Sequence, residues 1–282
     1  MRDEPENLAL RPRDVRFDWS TLPTHWIPDE PFATHVLNVM HLLLPEGERW
    51  FVEVFKEALP LVTDERLREQ VVGFIGQEAM HASAHQGAQD HLVSQGLNPG
   101  PYVQQLEWFF RHRLDRPASG HDWLVARLAV IAAVEHVTAF LGQWVLDSPH
   151  LDRAGADPTM LDLLRWHGAE EVEHRSVAFD LFTHVDGRYG KRVTAMAVAV
   201  PFLIWQWTRG VRFLMSNDVG AGKARWRDFR RAARVGLIPS TRRLARSMAT
   251  YFRRGYHPSK EGSTSQAVAY LATSPAALAA GR

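Results

Sequence analysis

Two stretches of the sequence place acids and histidines at spacings that suit metal binding. FIGQEAMHASAH contains Glu78 and His81, and WHGAEEVEHRSVAFD contains Glu171 and His174. On a helix, residues three apart lie on the same face, so each Glu-x-x-His pair can reach one ion. One such motif arises easily by chance in a Glu-rich helix. Two of them among apolar and small residues indicate a shared site.

Two further helices must each add one acid to complete such a site. Glu135 is the only acid in residues 123–146, and it follows seven small or apolar residues. An uncompensated carboxylate is costly to bury there, and coordination of a cation removes that cost. The first helix offers Glu48, Glu53 and Glu57.

A single Glu from each of two helices and a Glu-x-x-His from each of two others form a known ligand set. It is the set of ferritin-like di-iron and di-manganese carboxylate bundles. Four carboxylates and two neutral imidazoles match the charge of two divalent cations. Oxygen and nitrogen ligands without sulfur favour iron, with manganese and zinc as alternatives. We therefore predict a site for two divalent metal ions.

The elements that must position these residues are helices. Apolar residues recur at helical spacing with almost no β-type alternation, which predicts an all-α protein, a ferritin-like four-helix bundle with additional C-terminal helices. Long helices are expected at about 32–59, 64–95, 121–147 and 157–185, with a short helix at 102–114. The predicted division is an extended, proline-rich lead-in over 1–31, the di-metal bundle over 32–187, and an apolar helix plus basic helices over 188–282.

The C-terminal part differs in charge from the rest of the chain. Residues 209–282 hold 15 Lys and Arg against 3 Asp and Glu, whereas residues 1–208 hold 18 against 29. The uncharged run 193–208 is shorter than the roughly 20 residues of a membrane span. We expect a helix buried against the bundle, with an interfacial segment as the alternative. The tail after Pro258 is expected to be weakly ordered.

Location and partners follow from charge and composition. The chain has no cysteine, which excludes disulfides and sulfur-ligated metals. Its polar N-terminus is no secretory signal, so we expect a cytoplasmic protein. Basic helices beside an apolar one predict peripheral contact with the inner face of the membrane through residues 193–254, although a solvated helix face explains the same pattern. Nucleic-acid binding through the arginines is a weaker alternative, and a homodimer is an open possibility.

Several motifs together resemble a known family. PEGERWF, FIGQEAMHASAH, AAVEHVTA and WHGAEEVEHRSVAFD, with GYHP downstream, are similar to the bacterial "predicted metal-dependent hydrolase" family of the ferritin-like superfamily. The resemblance covers roughly residues 15–260. It implies as metal ligands Glu48, Glu78, His81, Glu135, Glu171 and His174. Glu48 is chosen on this resemblance, and Glu53 is the alternative from the residue pattern alone.

Two more histidines lie on the ligand faces of their helices. His85 falls about one turn beyond His81, and His167 one turn before Glu171. We expect both at the site, as extra ligands, partners of ligands or catalytic proton carriers; the alternative is a hydrogen-bonded core histidine. His136 and Glu170 turn away from their ligand neighbours, which predicts structural or outer roles. Glu173 is expected to face solvent or a neighbouring helix.

Three function classes fit this site. The favoured hypothesis is a di-iron oxidoreductase that uses O2 to oxidise a hydrophobic or lipid-like small molecule, with electrons from a donor protein, because aromatic residues flank the ligands. The second is a metal-dependent hydrolase with a metal-bridged hydroxide, in which His85 or His167 is the acid or base. The third is a non-enzymatic metal-binding or membrane-associated protein.

Overall fold

The computed structural model describes residues 9–114 and 120–281, and within them the protein is all-α, without a β-strand. The all-α prediction is confirmed; the ferritin-like classification and the domain division stay predictions. The helices are α1 (Pro31–Ala58), α2 (Glu65–Ser94), α3 (Gly100–Phe109), α4 (Gly120–Leu146), α5 (Pro149–Arg153), α6 (Pro158–His174), α7 (Val177–Val185), α8 (Tyr189–Asn217), α9 (Trp226–Val235), α10 (Thr241–Tyr251), α11 (Thr264–Leu271) and α12 (Pro275–Ala280). Residues 9–30 contain no helix.

Acidic caps fix the start of two helices that carry the Glu-x-x-His motifs. The Asp64 side chain accepts a hydrogen bond of 2.7 Å from the amide of Leu67 at the start of α2. Asp157 accepts one of 2.9 Å from the amide of Thr159, and Pro158 occupies the first position of α6. Such caps satisfy amide groups that have no partner inside the helix.

The four long helical regions pack around a common centre. α1 packs on α2, α4 packs on α6, and α7 contacts both α2 and α4. The prediction of one continuous helix over 157–185 was wrong, because α6 ends at His174 and α7 begins at Val177. The buried guanidinium of Arg175 contacts the carbonyl of Val172 and binds Thr264 at 2.9 Å, so its side chain satisfies a carbonyl at the end of α6.

Helix α1 continues through a proline in its interior. Pro45 has no N–H group to bond the carbonyl of His41 one turn earlier. The side-chain amide of Gln89 on α2 donates to this carbonyl at 3.0 Å instead. The compensation keeps His41 and Glu48 on one continuous helix.

Helices α4 and α6 approach each other at two glycines. A Cβ atom on Gly142 would lie 2.5 Å from the carbonyl oxygen of Gly168, so the two backbones are in direct contact. A larger residue at either position would force the helices apart. The close crossing brings the acids of α4 and α6 within reach of each other.

Helix α8 is buried on one face only. Ala195, Met196 and Ala199 are buried, and α8 packs on α1 and α4, whereas Val198 and Trp205 are 63% and 53% exposed. The expected burial against the bundle therefore holds for one face. Membrane contact through 193–254 stays a prediction. Among the described residues one helix, α4, is long and apolar enough to cross a membrane, but 61% of its apolar stretch is buried in the protein, as in a core helix.

The C-terminal tail is ordered, so the expectation of a weakly ordered tail was wrong. Helix α11 packs on α6, and the buried carboxylate of Asp162 on α6 organises the contact. Asp162 accepts hydrogen bonds from the Tyr270 hydroxyl at 2.8 Å and the Ser274 hydroxyl at 2.7 Å. It also accepts one from the Ala276 amide at 2.9 Å. A buried carboxylate with three donors fixes a segment whose composition alone suggests disorder.

Candidate metal centre

The six side chains predicted as metal ligands meet in the interior of the protein. Each of them is at most 3% exposed. They are supplied by four helices: Glu48 by α1, Glu78 and His81 by α2, Glu135 by α4, and Glu171 and His174 by α6. The helix-by-helix origin agrees with the sequence pattern. Their role as ligands stays a prediction.

The buried acids and histidines form two groups that share one residue. In each group the ligand atoms all lie within 4.8 Å of one another. The first group, called group A, contains Glu48, His81, His167 and Glu171. The second group, called group B, contains Glu78, Glu135, Glu171 and His174. Each group offers oxygen and nitrogen atoms of the kind that bind a divalent ion, and Glu171 belongs to both groups.

The two oxygens of Glu171 face different groups. Its Oε1 lies 2.7 Å from His167 Nε2 and 3.6 Å from His81 Nδ1, both in group A. Its Oε2 lies 3.5 Å from His174 Nε2 in group B. A carboxylate with one oxygen towards each group is what a bridging ligand requires.

Group B is built around His174. Its Nε2 lies 3.3 Å from Glu78 Oε1 and 3.3 Å from Glu135 Oε2. In group A, His167 Nε2 lies 3.6 Å from Glu48 Oε1. These separations bring the donor atoms around two common points without bonding them strongly to each other.

The donor atoms of both groups fit a metal because most of them have no hydrogen-bond partner. The unpartnered buried atoms are both carboxylate oxygens of Glu48, Glu78 and Glu135, together with Glu171 Oε2, His81 Nδ1 and His174 Nε2. Buried polar atoms in proteins are nearly always bonded, and leaving one without a partner costs about 1–3 kcal/mol or more. Cations in the two groups would give partners to at least one such atom of each of these six residues.

Hydrogen bonds on the side away from the groups orient the two histidines that are predicted as ligands. His81 Nε2 lies 2.9 Å from Glu170 Oε2, which leaves Nδ1 directed to group A. His174 Nδ1 lies 3.1 Å from Gln77 Oε1, which leaves Nε2 directed to group B. Such partners fix the tautomer and the ring orientation of a metal-binding imidazole. Glu170 thus bonds a predicted ligand and belongs to neither group, as its position on the helix predicts.

Arg13 in the N-terminal segment is linked to both Glu170 and Gln77, the hydrogen-bond partners of His81 and His174. Its guanidinium contacts Glu170 and donates to Glu173 Oε2 at 3.1 Å. The side-chain amide of Gln77 donates to the same Glu173 oxygen at 3.2 Å. Sequence reasoning missed Arg13, which lies in a segment without helical periodicity. It also missed Gln77, although its position one turn before His81 could have signalled it.

The two other candidate acids of α1, Glu53 and Glu57, are turned outwards. The Glu53 side chain is 65% exposed and pairs with Lys56 at 3.0 Å. Glu57 is 50% exposed and pairs with Arg127 at 2.7 Å. Only Glu48 of the three sits in the interior, which agrees with the choice made from the family resemblance.

Three histidines form a hydrogen-bonded row that leads away from group A. His167 Nδ1 lies 2.6 Å from His85 Nε2, and His85 Nδ1 lies 2.8 Å from His41 Nδ1. The hydrogen bonds of His85 therefore go to two imidazoles, and it stands behind His167. His136 lies elsewhere, with Tyr256 and Ser247 as partners at 2.6 Å and 3.2 Å, which fits a structural role.

Burial and crowding shift the pKa values of the acids in both groups. Burial and the nearby Glu78 raise the pKa of Glu48 well above its ordinary value. Burial and Glu171 raise the pKa of Glu135 to about 8. Burial alone would also raise the pKa of Glu171, but His174 and the hydrogen bond with His167 outweigh it and lower that pKa.

The metal-free protein is expected to release protons when it binds a divalent ion. Glu135, with a pKa of about 8, is largely protonated at pH 7 and must lose its proton to become a ligand. Affinity should therefore rise as the pH is raised towards 8, by up to about tenfold per pH unit for each proton released. Calorimetric titration of zinc or manganese in buffers of different ionisation enthalpy measures this release directly. Affinity that is independent of pH between 6 and 8 would contradict it.

A third group of possible ligands lies apart from the centre. His25 and His35 each place Nε2 on the same oxygen of Asp218, at 2.5 Å and 2.7 Å. Because these atoms are already bonded to each other, the group lacks the unpartnered atoms that distinguish groups A and B. It serves to tie the lead-in to α1 and to the end of α8.

Comparison with known proteins gives one family. A family model described as a predicted metal-dependent hydrolase matches residues 11–262, which is most of the chain. No match was found among curated proteins or among solved structures. Our favoured hypothesis of O2-dependent oxidation was wrong, because the family is described by the reaction that we ranked second. Metal dependence is supported by this description and by the clustered glutamates and histidines. The chain belongs to the family of predicted metal-dependent hydrolases.

Proposed function

We propose that the protein is a hydrolase that works with divalent metal ions held in groups A and B. The observation that carries the proposal is the set of nine buried donor atoms without hydrogen-bond partners, arranged in two groups around Glu171. Ions held there would lower the pKa of a water molecule and polarise the bond to be cleaved. Such ions are manganese, zinc or iron, because the ligands are oxygen and nitrogen atoms.

His167 is the residue that we propose as proton acceptor or additional ligand. Burial lowers the pKa of its imidazole, so the ring is neutral at pH 7 and one of its two nitrogens carries a lone pair. Its Nε2 lies at the edge of group A, 2.7 Å from Glu171 Oε1. In the metal-free protein this nitrogen donates to the Glu171 carboxylate. An ion bound to Glu171 would release Nε2, which could then present a lone pair to a water or an ion in group A, with the ring proton on Nδ1 towards His85.

His85 is a positioning residue in this proposal, because it acts through His167. The bond of 2.6 Å between His85 Nε2 and His167 Nδ1 holds the ring of His167 in one orientation. His41 supports His85 in turn at 2.8 Å, and the Gln89 amide bonds the His41 carbonyl.

A His85→Leu variant is expected to lose activity while keeping its metal. We expect roughly a 10–100-fold fall in turnover, the range found for outer partners of metal sites, because His167 loses its orientation. The pH profile of turnover should also shift, which a purely structural role would not cause. Metal content is measured beside the rate, and a His136→Leu variant serves as the matched control, since the ring of that buried histidine bonds Ser247 and Tyr256 and no member of either group. Unchanged turnover in His85→Leu would contradict the role.

The reaction itself is tested by reconstitution with and without oxygen. Chelator-treated protein is loaded with zinc, manganese or iron and assayed on p-nitrophenyl esters of carboxylic acids and of phosphate. We expect metal-dependent release of nitrophenol at the same rate in air and under anaerobic conditions, because hydrolysis consumes only water and needs no electron donor. Glu135→Gln should abolish it, and the exposed Glu53→Gln should not. Turnover that requires oxygen, or none with any metal and ester, would overturn the proposal.

A further inference from the structure

We propose that an apolar cavity beside Glu171 binds the hydrocarbon chain of an amphiphilic substrate, whose polar, hydrolysable end lies against the metal groups. The inference rests on the proposed function for the reaction, but the cavity is argued from its own lining. Its volume is about 320 Å³. That lies at the low end of ligand pockets, which span roughly 300–1,000 Å³.

The inner end of the cavity is part of the metal centre. Glu171 and His167, both buried, contribute to its lining. Gly142 and Gly168 lie beside them, at the crossing of α4 and α6. The backbones of the two helices touch at this crossing, so glycine backbone bounds the cavity next to Glu171. A molecule in the cavity therefore reaches Glu171, the residue shared by both groups.

The rest of the lining is apolar. Beyond Glu171 and His167, the polar groups of the lining are the hydroxyls of Thr138, Thr208 and Thr241 and the indole N–H groups of two tryptophans, of which that of Trp207 is bonded to the Val36 carbonyl at 2.8 Å. The remaining side chains are aliphatic or aromatic and include Leu141, Leu203 and Trp207. Such walls cannot replace the hydrogen bonds of a sugar, a nucleotide or a charged peptide, so burying one of these there is costly. A hydrocarbon chain gains free energy from the same burial.

The outer end of the cavity reaches the surface between α8 and α10. Ile204 is 53% exposed, and Thr208 and Thr241 are exposed too. Leu244 on α10 and Phe229 on α9 complete this end. A chain can therefore enter from the surface formed by the C-terminal helices. The proposal gives these helices a function, because they form one wall of the substrate site.

The polarity gradient fixes the orientation of the substrate. The single carboxylate of the lining is at the inner end, where the ligand atoms are, and the walls between it and the surface are apolar. The hydrolysable group must lie at the inner end and the chain must run outwards. The substrate class that fits is a neutral ester or amide with one unbranched chain of medium length.

The test measures binding in the metal-free protein, so that it does not depend on hydrolysis. N-phenyl-1-naphthylamine, a neutral fluorophore that brightens in apolar surroundings, is bound first and then displaced by 1-alkanols of increasing length. We expect affinity to rise about fourfold per methylene group, as for full burial of each group. The rise should stop when the cavity is filled.

Two variants locate the binding in this cavity. Leu141→Trp should fill the middle of the cavity, lower the affinity for 1-decanol at least about tenfold, which is the loss of two methylenes or more, and move the plateau to shorter chains. Leu244→Trp should do the same from the outer end, so one variant remains if the other does not fold. Val72→Trp, on the exposed face of α2, is the matched control and should bind as the unaltered protein does.

The outcomes separate this inference from the proposed function. If alkanol binding depends on chain length and both tryptophan variants weaken it, the substrate cavity is supported. If hydrolysis is absent in the same protein, the proposed hydrolase function is overturned. No binding of the fluorophore, or equal 1-decanol affinity in Leu141→Trp, Leu244→Trp and Val72→Trp, would overturn the cavity, even if metal-dependent hydrolysis of short esters is found.

Discussion

A Glu171→Gln variant is expected to lose metal from both groups, whereas Glu135→Gln should lose it from group B alone. Glu171 places Oε1 in group A and Oε2 in group B, so a single neutral amide removes a charged ligand from each. Glu135 lies in group B only. Loss of a residue that only orients a ligand lowers metal affinity roughly 10–100-fold. Loss of a direct ligand should therefore lower it by more than that.

Metal content by mass spectrometry after equilibrium dialysis against zinc or manganese measures this difference. Glu53→Gln on the exposed face of α1 is the control, and its metal content should not change. Loss of the same amount of metal in Glu171→Gln and Glu135→Gln would contradict the bridging position of Glu171.

Thermal unfolding of the metal-free proteins separates loss of a ligand from loss of the fold. The pKa of Glu135 is raised to about 8, so its carboxyl group is already largely neutral at pH 7 without metal. Glu135→Gln should therefore leave the melting temperature of the metal-free protein unchanged or raise it slightly. The same variant should forfeit the stabilisation that added metal gives to the unaltered protein, because an ion stabilises the folded state by binding to it. A large fall in the metal-free melting temperature would mean that Glu135 acts mainly in packing.

An Arg13→Met variant is the second large expected effect, although Arg13 lies outside the bundle and touches no ligand atom of either group directly. Methionine keeps much of the aliphatic stem and removes the guanidinium that contacts Glu170 and Glu173. The carboxylates of Glu170 and Glu173 are 0% and 4% exposed, so they would be left buried without their cation. Breaking a buried pair in this way costs about 3–5 kcal/mol, and the partial exposure of Arg13 argues for the lower end.

The expected effect on metal affinity follows from the hydrogen bonds that orient His81 and His174. Glu170 holds His81 and Glu173 holds Gln77, which holds His174, so one arginine supports an imidazole of each group. We expect metal affinity to fall roughly 10–100-fold. Arg16→Met is the matched control, because Arg16 is in the same segment with 86% of its side chain exposed. Equal metal affinity in Arg13→Met and Arg16→Met would contradict this role of Arg13. Glu170→Gln releases His81 alone, so its metal affinity should lie between those of the two arginine variants.

Part of the site could be predicted because helical spacing is a local property. Glu78 with His81, and Glu171 with His174, share a helix face whatever the tertiary structure is, since a turn of helix has 3.6 residues. Glu135 stands out because it interrupts an apolar run, and a buried acid needs compensation. Glu48 could not be chosen over Glu53 by the same local argument; its burial depends on how α1 packs on α2.

The break after His174 and the order of the tail were not predictable from composition. Both depend on side chains that bond across long distances in sequence, Arg175 to Thr264 and Asp162 to Tyr270 and Ser274. Periodicity carries no information on such pairs. The same limit explains why Arg13 was missed, since its importance comes from Glu170 and Glu173, which only the fold brings near it.

The sequence by itself determined that the protein is all-α, and it placed two Glu-x-x-His pairs and one isolated acid on helices, because these follow from residue type and from spacing along one helix. Only the tertiary structure decided how the donors divide into two groups, that Glu171 is shared by both, and that His167 joins group A while His85 stands behind it. It alone also revealed the apolar cavity that ends at Glu171. These features depend on where four helices cross, and the backbone contact of Gly142 with Gly168 is set by packing between residues far apart in the chain.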